Sequence, residues 1–86
     1  MNMRYLACAE MHNQERIFIK VFSPLLWTKD ISECKLYDTI DECRSHLQSI
    51  DEHLENFIRG QSDIYYGIFI VGINIKGELT NIECYI

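Results

Sequence analysis

Residues 39–60 read TIDECRSHLQSIDEHLENFIRG, and they decide the fold because they can form only one kind of element. Thr39, with Glu42 three residues later, makes a capping box: the threonine hydroxyl accepts from the Glu42 amide and the glutamate side chain reaches back. A helix is therefore predicted from about Ile40. Ile40, Cys43, Leu47, Ile50, Leu54, Phe57 and Ile58 recur at helical spacing and fall within an arc of about 100°, which makes them the core face. Gly60 supplies a left-handed cap, so one long amphipathic helix should run to it. Asp41, Asp51, Glu52 and Glu55 lie outside the stripe and face water, partly offset by Arg44 and Arg59. His46 and His53 sit at the boundary, and Glu42, one turn before His46, is placed to favour its charged form.

The sequence on either side of the helix alternates. Residues 64–86, IYYGIFIVGINIKGELTNIECYI, read as two strands around Lys76-Gly77, where glycine allows the positive φ of a two-residue turn. Pairing Ile75 with Glu78 places Val71 opposite Ile82 and Phe69 opposite Cys84. The face bearing Phe69, Val71 and Ile73 then collects most of the strong hydrophobes, and the helix is expected there. The opposite face, with Tyr66, Ile68, Ile70 and Tyr85, is left for the segment around Pro24 to Trp27, a partner or a second copy to cover. Upstream, RYLACAE (4–10) and RIFIKVF (16–22) are strand-like, with a turn at Asn13. Residues 23–35 hold no period and suit a loop with one helical turn, Trp27 plugging the edge of the core. The expected architecture is α+β: one helix on an antiparallel sheet, in the order β-β-α-β-β.

Eighty-six residues make one domain, 1–86, with a single core and little stability to spend on strain. No run approaches the ~20 apolar residues of a membrane span, and the apolar stretch near the N-terminus is too short for an export signal, so a cytoplasmic location is expected. In that reducing compartment Cys8, Cys34, Cys43 and Cys84 are read as thiols. They contain no CxxC pair. Cys43 and His46 could share an ion on a helix, but His53 lies about 10 Å further on, so neither metal nor cofactor is expected. Net charge is −5, divided as +2 over residues 1–29, −6 over 30–63 and −1 over 64–86. An acidic middle repels phosphate, which argues against direct nucleic-acid binding, and attracts basic protein surfaces. The plainer reading is a helix face that keeps the protein soluble.

From Phe18 to Leu47, about a third of the chain, the order is strand, tryptophan, an Asp-Ile step, a small residue before a basic one, an aromatic and a capped helix. Ile19, Trp27, Asp30, Ile31, Cys34, Lys35, Tyr37, Thr39 and Cys43 carry it. This run resembles small α+β proteins encoded by bacteriophages and prophages, in which alanine often stands where this chain has cysteine. The shared pattern is one of folding, and no functional residue is carried over with it. Catalysis is not expected. The chain has no phosphate-cradling glycine loop, nucleophile elbow or HExxH, and Cys43 and Cys84 fall on predicted core faces where burial makes thiols inert. The sequence points to a small acidic protein-binding module, an inhibitor or regulator of a host or cognate protein in a bacterial cell. The alternatives are a toxin-neutralising immunity protein and a self-associating assembly component that uses the apolar sheet face.

Overall fold

The computed structural model describes residues 3–86; Met1 and Asn2 of the expected domain lie outside it. Strands β1 (Arg4–Met11) and β2 (Arg16–Phe22) are followed by a short β3 (Leu25–Thr28) and a 3-10 turn at Ile31–Glu33. Helices α1 (Ile40–Ser49) and α2 (Asp51–Gly60) precede β4 (Tyr65–Ile73) and β5 (Leu79–Cys84). The strands form one antiparallel sheet in the order β3-β2-β1-β4-β5. The fold is α+β, as the sequence implied, with two departures: the expected loop contains a fifth strand, and the one long helix is two. At four residues, β3 is too short to show a period.

The helix begins where the capping box put it. The Glu42 amide donates to Thr39 Oγ1 at 3.2 Å, and Thr39 Oγ1 donates to the Glu42 carboxylate at 3.1 Å. It breaks at Ile50, whose φ of −121° and ψ of 24° are not helical. The Ser49 hydroxyl donates to the His46 carbonyl at 2.6 Å, a side-chain bond that competes with the helical ladder. The ladder restarts when the Leu54 amide donates to the Ile50 carbonyl. Asp51 and Glu52 then occupy the first turn of α2, where the helix dipole favours acids. Gly60 belongs to α2 and is not a left-handed cap; Gln61, at φ −133°, ends the helix. The apolar stripe survives the break, and all seven of its residues pack in the core beneath the helices.

The helices cover the face opposite to the one expected. Ile68 and Ile70, read as exposed, are fully buried under Leu47 and Leu54. Their neighbours on β1 are Ala9 and Ala7, whose small side chains leave room for a helical layer. Phe69, Val71 and Ile73 face the other way, with Leu6, Cys8, Phe18 and Leu79. Hydrophobicity could not choose between the faces, because a central strand such as β4 is apolar on both.

Two irregularities complete the account. At the start of β4, Glu10 pairs with Gly67 and Met11 with Tyr65, so Tyr66 is the extra residue of a bulge. Tyr65 therefore points into the helical core and Tyr66 to the other side, away from Ile68. At the hairpin, the Gly77 amide donates to the Asn74 carbonyl and the Asn74 amide to the Glu78 carbonyl. The loop thus has three residues and ends in Gly77 at φ +82°. Asn74 Oδ1 fixes it by accepting from the amides of Lys76 and Glu78. The register is consequently offset by one from Ile73, which pairs with Leu79, to Val71, which pairs with Asn81. A bulge at Ile82 restores the expected Phe69–Cys84 pair.

The tip of the β2–β3 hairpin curls onto the helical side, where Trp27 stacks on Phe57 at 4.7 Å between centroids and Phe22 packs on His46. Trp27 thus closes the core edge. Where β2 parts from β1, residues 35–37 fill the gap. The Lys35 amide donates to the Ile19 carbonyl on one side, and Tyr37 exchanges two backbone bonds with Tyr5 on the other. The chain thereby passes from Ile31 and Cys34, on the helix-free face, to Tyr37 and α1 on the helical face.

Candidate functional site

Of the four acids expected on the helix surface, two are engaged and two project alone. Asp41 pairs with Arg44 at 2.7 Å, and Asp51 accepts from the Tyr85 hydroxyl at 2.7 Å. Glu52 and Glu55 are exposed, and among the described residues neither has an ion-pair partner. Arg44 offers them nothing. Its guanidinium also grips both carboxylate oxygens of Glu83 on β5, at 2.7 and 3.0 Å, a bidentate bond that ties α1 to the sheet. Those bonds hold the Glu83 carboxyl below its ordinary range and raise Arg44 further above its own.

Segment 38–63, the two helices and their flanks, contains seven acids and two bases, a charge of −5. That equals the charge of the whole chain; the remaining 60 residues carry six acids and six bases. Charge is thus sorted by layer. Asp38, Glu42 and Asp63 belong to the acidic layer with the four residues named from sequence. Glu42 bonds to the helix cap, and His46 has a different neighbour from the one expected. Its Nδ1 lies 2.5 Å from the Tyr37 hydroxyl, and its ring meets Tyr37 edge-on. Burial, reinforced by nearby Cys43 and Glu42, raises Tyr37 well above the usual phenol range, so the hydroxyl keeps its proton. Beside this pair lies an open hollow of about 470 Å³, lined by Lys35, Asp38, Asp41, Glu42 and Ser45.

The second expected set does not form a surface. Ile68 and Ile70 are core residues, and Tyr85 is half-buried against the helices, its hydroxyl pushed up to about 12 by burial and by Asp51. Only Tyr66 remains exposed, on the opposite side of the sheet, where it packs on Phe69 and His12. That side was missed. Phe69, Ile73 and Leu79 are half-buried over Leu6, Cys8, Phe18 and Val71. The signal that could have identified it is the alternation in LACAE: alanines 7 and 9 mark the helix-covered face, and Leu6 and Cys8 the other.

All four cysteines are thiols in the structure. Burial pushes Cys8 and Cys43 up to about 12 and raises Cys34. Cys84, expected in the core, is exposed and donates to the Ile86 carbonyl at 3.4 Å. Among the described residues no three metal-ligating side chains converge, and no helix is long and apolar enough to cross a membrane. No protein-family profile matches the chain, and neither curated proteins nor solved structures yield a match.

Proposed function

We propose that this chain is a small binding module that docks a basic protein surface through its helical layer and acts by masking it. The observation that carries this reading is the sorting of charge: the layer holds the full net charge of −5, and Glu52 and Glu55 project from it without partners among the described residues. Uncompensated charge on a rigid, capped element steers a partner of opposite sign and repels phosphate. Binding without chemistry is the mode of an inhibitor or an immunity protein. The resemblance to phage-encoded proteins favours an accessory protein of a mobile element, working in the bacterial cytoplasm on a host or cognate partner.

Charge reversal tests the proposal. The immobilised chain is compared with its Glu52→Lys/Glu55→Lys variant in capture of proteins from a host extract, and association of the retained partner is then followed by surface plasmon resonance. The wild-type on-rate should fall steeply with salt, and the variant should associate at least about tenfold more slowly at low salt. An unchanged on-rate, with the variant folded by circular dichroism, would remove the helical layer from the interface.

A further inference from the structure

We infer that the helical layer is a pH-sensitive docking surface, in which His46 and His53 gain charge on mild acidification and weaken its hold on a basic partner. The inference rests on the docking role proposed above and adds its regulation. Both histidines are exposed, one on each helix. They border a single hollow of about 580 Å³ between the break at Ile50 and the tip of the β2–β3 hairpin. The other residues around it, Phe22, Ser23, Pro24, Leu25, Ser49 and Ile50, carry no charge. A positive charge that appears here meets no carboxylate in the hollow itself and adds directly to the charge of the layer.

The surroundings of each ring are mixed. His46 meets Phe22 of β2 and the Tyr37 hydroxyl, has Glu42 one turn before it on α1, and borders a second hollow that Lys35, Asp38 and Asp41 also line. His53 faces the uncharged hairpin tip and lies between Glu52 and Glu55 on its own helix. These are the two acids that project without partners, so a charge on His53 appears beside the groups on which docking depends. Imidazole is the side chain that ordinarily changes charge between about pH 8 and 5, whereas carboxylates ordinarily do so near pH 4. Two imidazolium charges added to the −5 of segment 38–63 leave −3. A partner whose charges come from lysine and arginine does not change over that range, and only this side of the attraction is weakened.

Association of the full chain with immobilised poly-L-lysine, followed by surface plasmon resonance at low salt, tests the inference with a probe whose own charge is constant. From about pH 7.5 to about pH 5.5 the wild-type on-rate should fall by at least about threefold, and that of His46→Gln/His53→Gln should change by less than about 1.5-fold. His53→Gln alone, at an exposed position, should lose about half of the effect on a logarithmic scale and is the readout should the double variant not fold by circular dichroism. Equal slowing of the wild type and the histidine variants overturns the inference, as does a wild-type rate that does not respond to pH. Glu52→Lys/Glu55→Lys at about pH 7.5 separates this from the docking role itself. Slower association of that variant upholds the role whatever the histidines do, and an unchanged rate removes the role and this inference with it.

Discussion

Replacing Ile68 with alanine asks which face of the sheet the helices hold. Ile68 is fully buried, pairs with Ala9 on β1 and packs in the same core as Leu47 and Leu54. Truncation removes three carbons, worth about 0.8 kcal/mol each in transfer alone, or roughly 2.4 kcal/mol. Ala9 and Ala7 are too small to fill the hole, so a cavity cost adds to this and the total should reach about 3–4 kcal/mol. A chain of this size has roughly 4–13 kcal/mol to lose. The variant should fold with its urea midpoint lowered by about 3–4 M, given a slope near 1 kcal/mol/M, and its Tm lowered by at least about 12 °C. Ile75→Ala provides the reference: Ile75 is 80 % exposed in the hairpin loop, and its loss should cost no more than about 0.5 kcal/mol. Urea unfolding followed by far-ultraviolet circular dichroism measures both. A loss below about 1 kcal/mol for Ile68→Ala would mean that the helices do not cover this face and that Ile68 is available to a partner.

Three further outcomes follow from the same geometry. The Glu83 carboxyl is depressed in the folded chain by Arg44, so the pair stabilises the fold above the unfolded value of about 4.3 and that contribution is lost as pH falls through the folded pKa; Arg44→Gln should flatten the decline of Tm in this acid range. Cys8 and Cys43 are raised from 9.0 to about 12, so their contribution is complete below pH 9 and disappears between pH 9 and 12. Unfolding should become easier across that window, and at neutral pH Ellman's reagent should modify Cys84 at once and Cys8 and Cys43 only on unfolding. Adding salt to the isolated chain should raise Tm by a few degrees, because like charges about 10 Å apart in the acidic layer repel by ~0.4 kcal/mol per pair in water and are screened at physiological ionic strength; an unchanged or lower Tm would show that the layer is not self-repelling.

The parts of the fold legible in the sequence are those determined by local chemistry. Thr39 and Glu42 announced the start of α1 because a capping box is complete within four residues, and the stripe from Ile40 to Ile58 identified the core face because helical period is a property of the segment alone. What could not be read depended on partners distant in sequence. The choice between the Ile68 and Phe69 faces was made by Ala7 and Ala9 on a strand some sixty residues earlier. Tyr66 changed sides because of one bulged residue, and one extra residue in the Gly77 loop shifted the adjoining register. Ile50 looked like any other member of the stripe, and the break there coincides with a Ser49 hydroxyl bonding back to the His46 carbonyl. For the site, the acids were legible one by one but their pairing was not. Only the sheet shows that Arg44 is committed to Glu83 and Asp51 to Tyr85, which leaves Glu52 and Glu55 as the acids that project alone.

The fold itself does not require the acidic layer. The residues that hold the helices to the sheet are apolar, and the polar ties, Arg44 with Glu83 and Tyr85 with Asp51, use one acid from the segment in addition to Asp41. Asp38 lies 3.7 Å from Arg4 and Glu42 accepts from the Thr39 hydroxyl, whereas Glu52, Glu55 and Asp63 could be neutral without loss of an ion pair or side-chain hydrogen bond among the described residues. Solubility would be served equally well by acids spread over both layers, yet the sheet side balances six against six. Concentrating the excess on one layer costs the isolated chain repulsion and returns nothing to its core. A basic surface that docks on that layer offsets the repulsion and adds attraction of its own, so whatever binds there stabilises the folded chain as it is bound.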